Sequence, residues 1–281
     1  MTVIGIFGPT ASGKSALAEA VAEELGGELV SADAMQVYRG LPILTNQSPA
    51  RLVAIWPLDK EASVGEYAPL AHAAIDEILA SGRVPVVVGG TGLYFRTALG
   101  RLHLPPAPQP GARERWSAFY DEDPEQAYAY LVEVDPGAAS VHANDRRRVV
   151  RALELAEVGA TLRPETSVLW EGDLRHPTVV VGLDPPQGEL EQRIVARTHA
   201  MFDAGVQEEV RTALAGPISG TARKTLGLDE VAALSRADAI DAIVGRTRRY
   251  AAYQRKWMRR IPGLVMVESA DDVVALVRAR E

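Results

Sequence analysis

Gly8-Pro9-Thr10-Ala11-Ser12-Gly13-Lys14-Ser15 satisfies G-x-x-x-x-G-K-[ST] at every position. The chemistry of that pattern is phosphate capture. Glycines let successive backbone N–H groups converge on phosphate oxygens, and the N-terminus of a following helix adds partial positive charge. Lys14 supplies a full charge for the outer phosphates, and the Ser15 hydroxyl is a ligand for Mg²⁺. The loop is therefore expected to bind a di- or triphosphate through residues 8–15, with Mg²⁺ as cofactor at Ser15. The second candidate is Asp33, which ends a predicted strand at the edge where ligands of open α/β sheets bind. A carboxylate there can be a metal ligand, a helix cap or a general base, and the residues leave all three open. An NTPase wants a Mg²⁺-binding acid at the end of a further strand, whereas Val84–Val88 runs into Gly89-Gly90-Thr91-Gly92.

These residues need elements to hold them. Residues 2–7 (TVIGIF) read as a buried strand and 15–25 (SALAEAVAEEL) as a helix, the context that the phosphate motif requires. A second strand is predicted at 28–32, a helix at 65–81 and a third strand at 84–88. Alternating strands and helices with apolar strands predict an α/β fold: a P-loop NTPase-like parallel sheet covered by helices on both faces. Residues 105–110 (PPAPQP) are a stiff connector. The composition from 111 to about 170 is helical, with breaks near Asp135-Pro136 and Arg163-Pro164. A strand returns at 178–183, followed by a helix at 187–214 with a possible interruption at Gly205. Helices then run from 227 to 260, and VMVE and a helix at 270–280 close the chain. The expected organisation is a core of 1–110 and 178–281 interrupted by an all-helical insertion at 111–177.

Composition narrows the function. The 281 residues are 47 % hydrophobic and 24 % charged, as in ordinary globular proteins. The absence of cysteine excludes disulfides and thiolate–zinc sites. The N-terminus lacks a basic n-region, and no run of 18 apolar residues exists, so a cytoplasmic protein without a membrane partner is expected. The net charge of −7 hides an uneven distribution: residues 246–260 (RTRRYAAYQRKWMRR) hold seven cations and no acid. Tyr250, Tyr253 and Trp257 interleave with them, and Arg146, Arg147, Arg148 and Arg151 share a predicted helix. Such mixtures suit phosphate contact and base stacking in RNA loops, although a charge run is more often a solvated face. The histidines (72, 103, 142, 176 and 199) show no paired ligand spacing.

Taken in order, GPTASGKS (8–15), SADAMQVYRG (31–40), VGGTGLYFRTAL (88–99), NDRRRVVRALEL (144–155), RIVARTHAMFDAGVQEEV (193–210) and TRRYAAYQRKWMR (247–259) resemble the isopentenyl-tRNA transferase, or tRNA dimethylallyltransferase, family. The resemblance implies that the loop holds the diphosphate of dimethylallyl diphosphate. The prenyl group would pass to N6 of the adenosine 3′ of the anticodon in a tRNA anticodon stem-loop. It implies catalytic roles for Asp33 as general base, Thr91 as orienting residue and Arg197 on the leaving diphosphate. It implies tRNA contacts at Asp33, Ala34, Met35, Gln36, Thr91, Arg113, Arg147, Arg148 and Arg151. No protein partner is implied, and a monomer is the default. The chain departs from the family pattern at 43–49 (ILTNQSP), in the shortened RLVAIWPLD (51–59), at Leu228 where tyrosine is usual and at Arg147 where glutamine is common. The competing readings are a small-molecule P-loop kinase using ATP and an RNA-binding protein without turnover.

Overall fold

Val3–Phe7 (β1) is buried along its whole length, as a strand must be when helices cover both faces of its sheet. The computed structural model describes residues 1–101, 105–162 and 173–280. Its contacts separate two compact units, Met1–Arg101 with Gly172–Glu281, and Leu102–Glu171. In the first unit β1 is followed by α1 (Lys14–Leu25), β2 (Gly27–Ser31), α2 (Pro42–Thr45), α3 (Val64–Ala80), β3 (Val84–Gly89) and α4 (Gly92–Leu99). After the second unit, which holds α5 (Ala112–Glu122), α6 (Pro124–Val134) and α7 (Arg146–Ala156), come β4 (Thr178–Gly182), α8 (Gln187–Asp203), α9 (Val206–Leu214), α10 (Leu228–Ala233), α11 (Arg236–Met258), β5 (Val265–Met266) and α12 (Ala270–Arg278). All pairings are parallel, in the order β2-β3-β1-β4-β5.

The strand period of two sorts side chains between the faces. Val3 and Phe7 join Val30, Val87 and residues of α3 and α4 in one core, whereas Ile4 and Ile6 join Val86, Val179 and Val181 under α1 and α12. A third apolar cluster packs α2 and α8–α11 together through Leu44, Ile194, Phe202, Val210, Leu228 and Ile243. Parallel strands put all their C-terminal ends on one edge. Because β3 lies between β2 and β1, the turn carrying Thr91 falls between Asp33 and the phosphate loop.

Several boundaries differ from the sequence reading. The interruption expected at Gly205 is present, where φ 91° divides 187–214 into two helices. The run 227–260 is likewise divided at Leu234-Ser235, where the Ser235 hydroxyl caps α11 by accepting the Asp238 N–H. Arg259 and Arg260 therefore lie beyond the helix assigned to them. Helix α4 follows directly on the glycine-rich turn, whose composition masked it.

The second unit contains α5 (Ala112–Glu122), α6 (Pro124–Val134), a 3₁₀ turn (Pro136–Ser140) and α7 (Arg146–Ala156) around Tyr120, Leu131, Val149 and Leu153. The contact boundaries fall at 101/102 and 171/172, not 110/111 and 177/178. Arg151 donates to the Pro106 carbonyl and holds the proline run to this unit, while Arg175 N–H to Leu99 O (2.9 Å) ties the returning chain to the first. The break expected at Arg163-Pro164 lies outside the described residues.

Glu154 organises this unit. Its side chain is fully buried and accepts from Arg113 Nε at 2.7 Å and Arg151 Nη1 at 2.9 Å. Burial alone would raise its pKa, but these hydrogen bonds outweigh burial and hold it below the usual glutamate range. Glu154→Leu removes the shared acceptor of Arg113 and Arg151 and is expected to cost about 1–3 kcal/mol, read as a lowered urea midpoint. An unchanged midpoint would show that the cluster carries no stability.

Candidate functional site

The phosphate loop is built as its residues require. Gly13 adopts φ 94° and leads into α1 at Lys14, so the helix N-terminus points at the space in front of the loop. Two arginines one turn apart on α8 brace it. Arg197 Nη1 donates to Thr10 Oγ1 at 2.9 Å, and Arg193 Nη1 donates to Ser12 O at 2.7 Å while pairing with Glu189. Lys14 Nζ reaches the Pro9 carbonyl at 3.4 Å. Gly8 packs so closely on Leu183 O and Ser12 Oγ that a Cβ would lie 2.7 Å from each.

In front of the loop is a cavity of about 790 Å³. Thr10, Ala11, Gly13, Lys14 and Ser15 form one wall, and Arg197 stands beside them. Asp33, Met35 and Gln36, from the chain leaving β2, form another. Asp33 Oδ1 accepts the Met35 N–H at 2.9 Å, which fixes its orientation. Gln36 is held by Ser31 Oγ (2.9 Å) and by its own donation to Asn46 O (2.9 Å). Thr91 accepts the Ala34 N–H at 3.2 Å, and Tyr250 lines the cavity. The loop, Asp33–Gln36, Thr91 and Arg197 are thus brought together.

The electrostatics are polarised. Burial lowers the Lys14 pKa to about 8, with Arg197 adding to the depression and Asp33 opposing it. Burial also lowers that of Arg197, again opposed by Asp33. Burial and the neighbouring Asp33 charge raise that of Tyr250, which stays a neutral phenol. Two cations whose charges are costly when the cavity is empty are well suited to an anionic ligand that restores the lost solvation. Among the described residues no group of three or more His, Asp or Glu could hold a metal ion. The Ser15 hydroxyl and Asp33 carboxylate are hard oxygen donors on the same cavity, and that partial set fits Mg²⁺, which keeps several waters and takes phosphate oxygens.

The remaining arginines divide. Arg113 and Arg151 are engaged with Glu154, Arg148 pairs with Asp145 at 3.4 Å, and Arg147 is exposed on α7. On the basic helix α11, Arg246 pairs with Glu230 and Arg255 with Asp184. Sequence reasoning passed over Arg193 and gave no role to Gln254. The first had a signal, its i, i+4 spacing from Arg197. The second was the uncharged polar residue at i+4 from Tyr250 in an otherwise cationic run.

The IPP transferase family model matches residues 36–261, and the isopentenyl transferase model matches 1–49. The tRNA dimethylallyltransferase of Salinispora arenicola is 39 % identical over 99 % of this chain and 87 % of its own. That of Anaeromyxobacter dehalogenans is 40 % identical over 100 % of this chain and 99 % of its own. The solved tRNA isopentenylpyrophosphate transferase of Bacillus halodurans superposes with a TM-score of 0.70 at 28 % identity, covering 99 % of this chain and 95 % of that one. A eukaryotic dimethylallyltransferase solved acting on tRNA gives 0.79 at 25 % identity, covering 99 % and 77 %. A phosphate loop on a parallel sheet, matched along nearly the whole chain, means that this protein belongs to the tRNA dimethylallyltransferase family.

Proposed function

We propose that the chain is a prenyltransferase that moves the dimethylallyl group of dimethylallyl diphosphate to N6 of the adenosine 3′ of the anticodon in tRNA, releasing diphosphate. The observation that supports it best is a cationic phosphate loop and a carboxylate, Asp33, on one cavity of about 790 Å³, large enough for a diphosphate and a nucleobase together. The N6 lone pair forms a bond to the allylic carbon as the carbon–oxygen bond to diphosphate breaks, and Asp33 takes the N6 proton. Lys14, Arg197 and the loop amides receive the departing negative charge. Thr91, through Ala34, orients the acceptor side. Ser15 would hold Mg²⁺, which would supply charge neutralisation to the diphosphate when bound. The adenine enters flipped out of its loop, and Met35 and Gln36 meet it. Arg147 and Arg148 contact tRNA phosphates, with Arg113 and Arg151 assisting from their Glu154 pairs. The work is cytoplasmic and needs no protein partner.

Among the described residues no helix is long and apolar enough to cross a membrane. A phosphate loop alone also admits a kinase, but the family does not favour it. Incubation with dimethylallyl diphosphate, Mg²⁺ and unmodified tRNA, followed by nucleoside mass spectrometry, tests the reading. Adenosine heavier by one prenyl unit supports it. An unmodified tRNA, or ADP formed from ATP with a small acceptor, overturns it.

The Lys14 pKa gives a pH dependence. Below pH 8 the amine is charged and ready for diphosphate; above it, binding must first restore the proton. The KM for dimethylallyl diphosphate is expected to rise above pH 8, by up to about tenfold per unit, until the lysine in the complex itself titrates. Steady-state KM between pH 7 and 9.5 checks this, and a flat profile contradicts the assignment.

A further inference from the structure

Gln254 is nearly fully buried, at 2 % exposure, on the face of α11 that also carries Tyr250. Its Oε1 accepts the Thr10 N–H at 2.8 Å, and its Nε2 donates to Gly90 O at 2.9 Å. The amide orientation is dictated by the partners, since a backbone N–H only donates and a carbonyl only accepts. One side chain thus joins the phosphate loop to the β3–α4 turn, whose next residue, Thr91, binds the chain beside Asp33. The approach is tight: a Cβ on Gly90 would lie 2.2 Å from Gln254 Nε2. The Thr10 amide is occupied by this contact, while the Thr10 hydroxyl faces Arg197. Tyr250, four residues before Gln254 on the same helix, lines the same cavity.

We infer that Gln254 is a positioning residue for prenyl transfer: it sets the separation between the diphosphate cradle and the Thr91–Asp33 side of the cavity, and hence the in-line geometry of nitrogen, allylic carbon and leaving oxygen. The inference rests on the transferase reading above. A register error of this kind acts on the chemical step more than on donor binding, because Lys14, Arg197 and the amides of Gly13–Ser15 remain in place, and small misplacements cost large factors in rate.

Two variants test it beside the wild type. Gln254→Met keeps the side-chain length and removes both hydrogen bonds. Its kcat is expected to fall by about 30-fold, with pyrophosphate affinity and the KM for dimethylallyl diphosphate within about threefold of wild type. Gln254→Glu keeps the shape; as a carboxylate it accepts from Thr10 but repels Gly90 O, and as a neutral acid its O–H donates to Gly90 and rebuilds the bridge. Burial raises the pKa of such a glutamate. Its kcat relative to wild type is therefore expected to climb by at least about fivefold between pH 8 and pH 6, at unchanged pyrophosphate affinity. Should Gln254→Met not fold, this pH recovery decides alone. Wild-type kcat in folded Gln254→Met, a rate loss matched by lost pyrophosphate affinity, or a flat kcat ratio for Gln254→Glu overturns the inference. Absence of prenyl transfer by the wild type refutes the transferase reading instead, so the two failures are distinct.

Discussion

Asp33→Asn is expected to lower the single-turnover rate of prenyl transfer by about 10²–10⁴-fold while the protein still folds and binds pyrophosphate. Asparagine keeps an oxygen to accept the Met35 N–H, the bond that fixes the side chain at 2.9 Å, so the backbone after β2 stays in place. What is lost is a group able to take the N6 proton as the new bond forms. The substitution also removes the negative charge that favours protonated Lys14. At pH 7 that effect is small, because the lysine pKa starts near 8, and it opposes the relief of repulsion between Asp33 and diphosphate. Pyrophosphate affinity is therefore expected to change little. A rate within about threefold of wild type would end the assignment of Asp33 as base. Recovery of the rate at high Mg²⁺ would reassign it as a metal ligand.

Lys14→Met has the second largest expected effect, and its two consequences have opposite signs. Removing the charge proposed to meet the leaving diphosphate is expected to lower kcat/KM by about 10²–10³-fold, the scale for deleting one preorganised donor to developing charge. The same change is expected to raise the melting temperature of the ligand-free protein by a few degrees. Burial makes the Lys14 charge costly, as its lowered pKa records, and an unbranched apolar side chain of similar length avoids that cost. Thermal melts with and without pyrophosphate give both readings: Lys14→Met melts higher than wild type alone and gains less on ligand addition. A variant that melts lower and retains ligand stabilisation would place the diphosphate elsewhere. Such a trade between stability and activity is characteristic of sites holding charge in advance of the reaction.

The loop at 8–15 was legible because its geometry is written in consecutive residues. Gly13 at φ 94° and helix α1 beginning at Lys14 follow from the local pattern, with no distant contact required. Asp33 was legible as a group at a strand end, but its three possible roles were not separable, because they depend on what faces it. Arg113 and Arg151 show the converse difficulty. As residues they are cations suited to RNA phosphates, and only the folded α5–α7 unit reveals the buried Glu154 between them. Gln254 was illegible in any role, since its partners Thr10 and Gly90 lie 244 and 164 residues away.

The amino-acid order alone determined the loop-to-helix cradle of residues 8–15, the alternation of strands and helices, and the helical character of the middle segment. Each arises from interactions between near neighbours: glycine torsions, amides converging over a few residues, and hydrophobic periodicity. Tertiary structure decided what the cradle faces. Placing β3 between β2 and β1 brings Thr91 and Asp33 to the loop's edge of the sheet, and seating α11 behind them lets Gln254 join the parts. Strand order and helix seating are settled by the burial of several apolar faces at once, a cooperative free energy that no short window of residues contains.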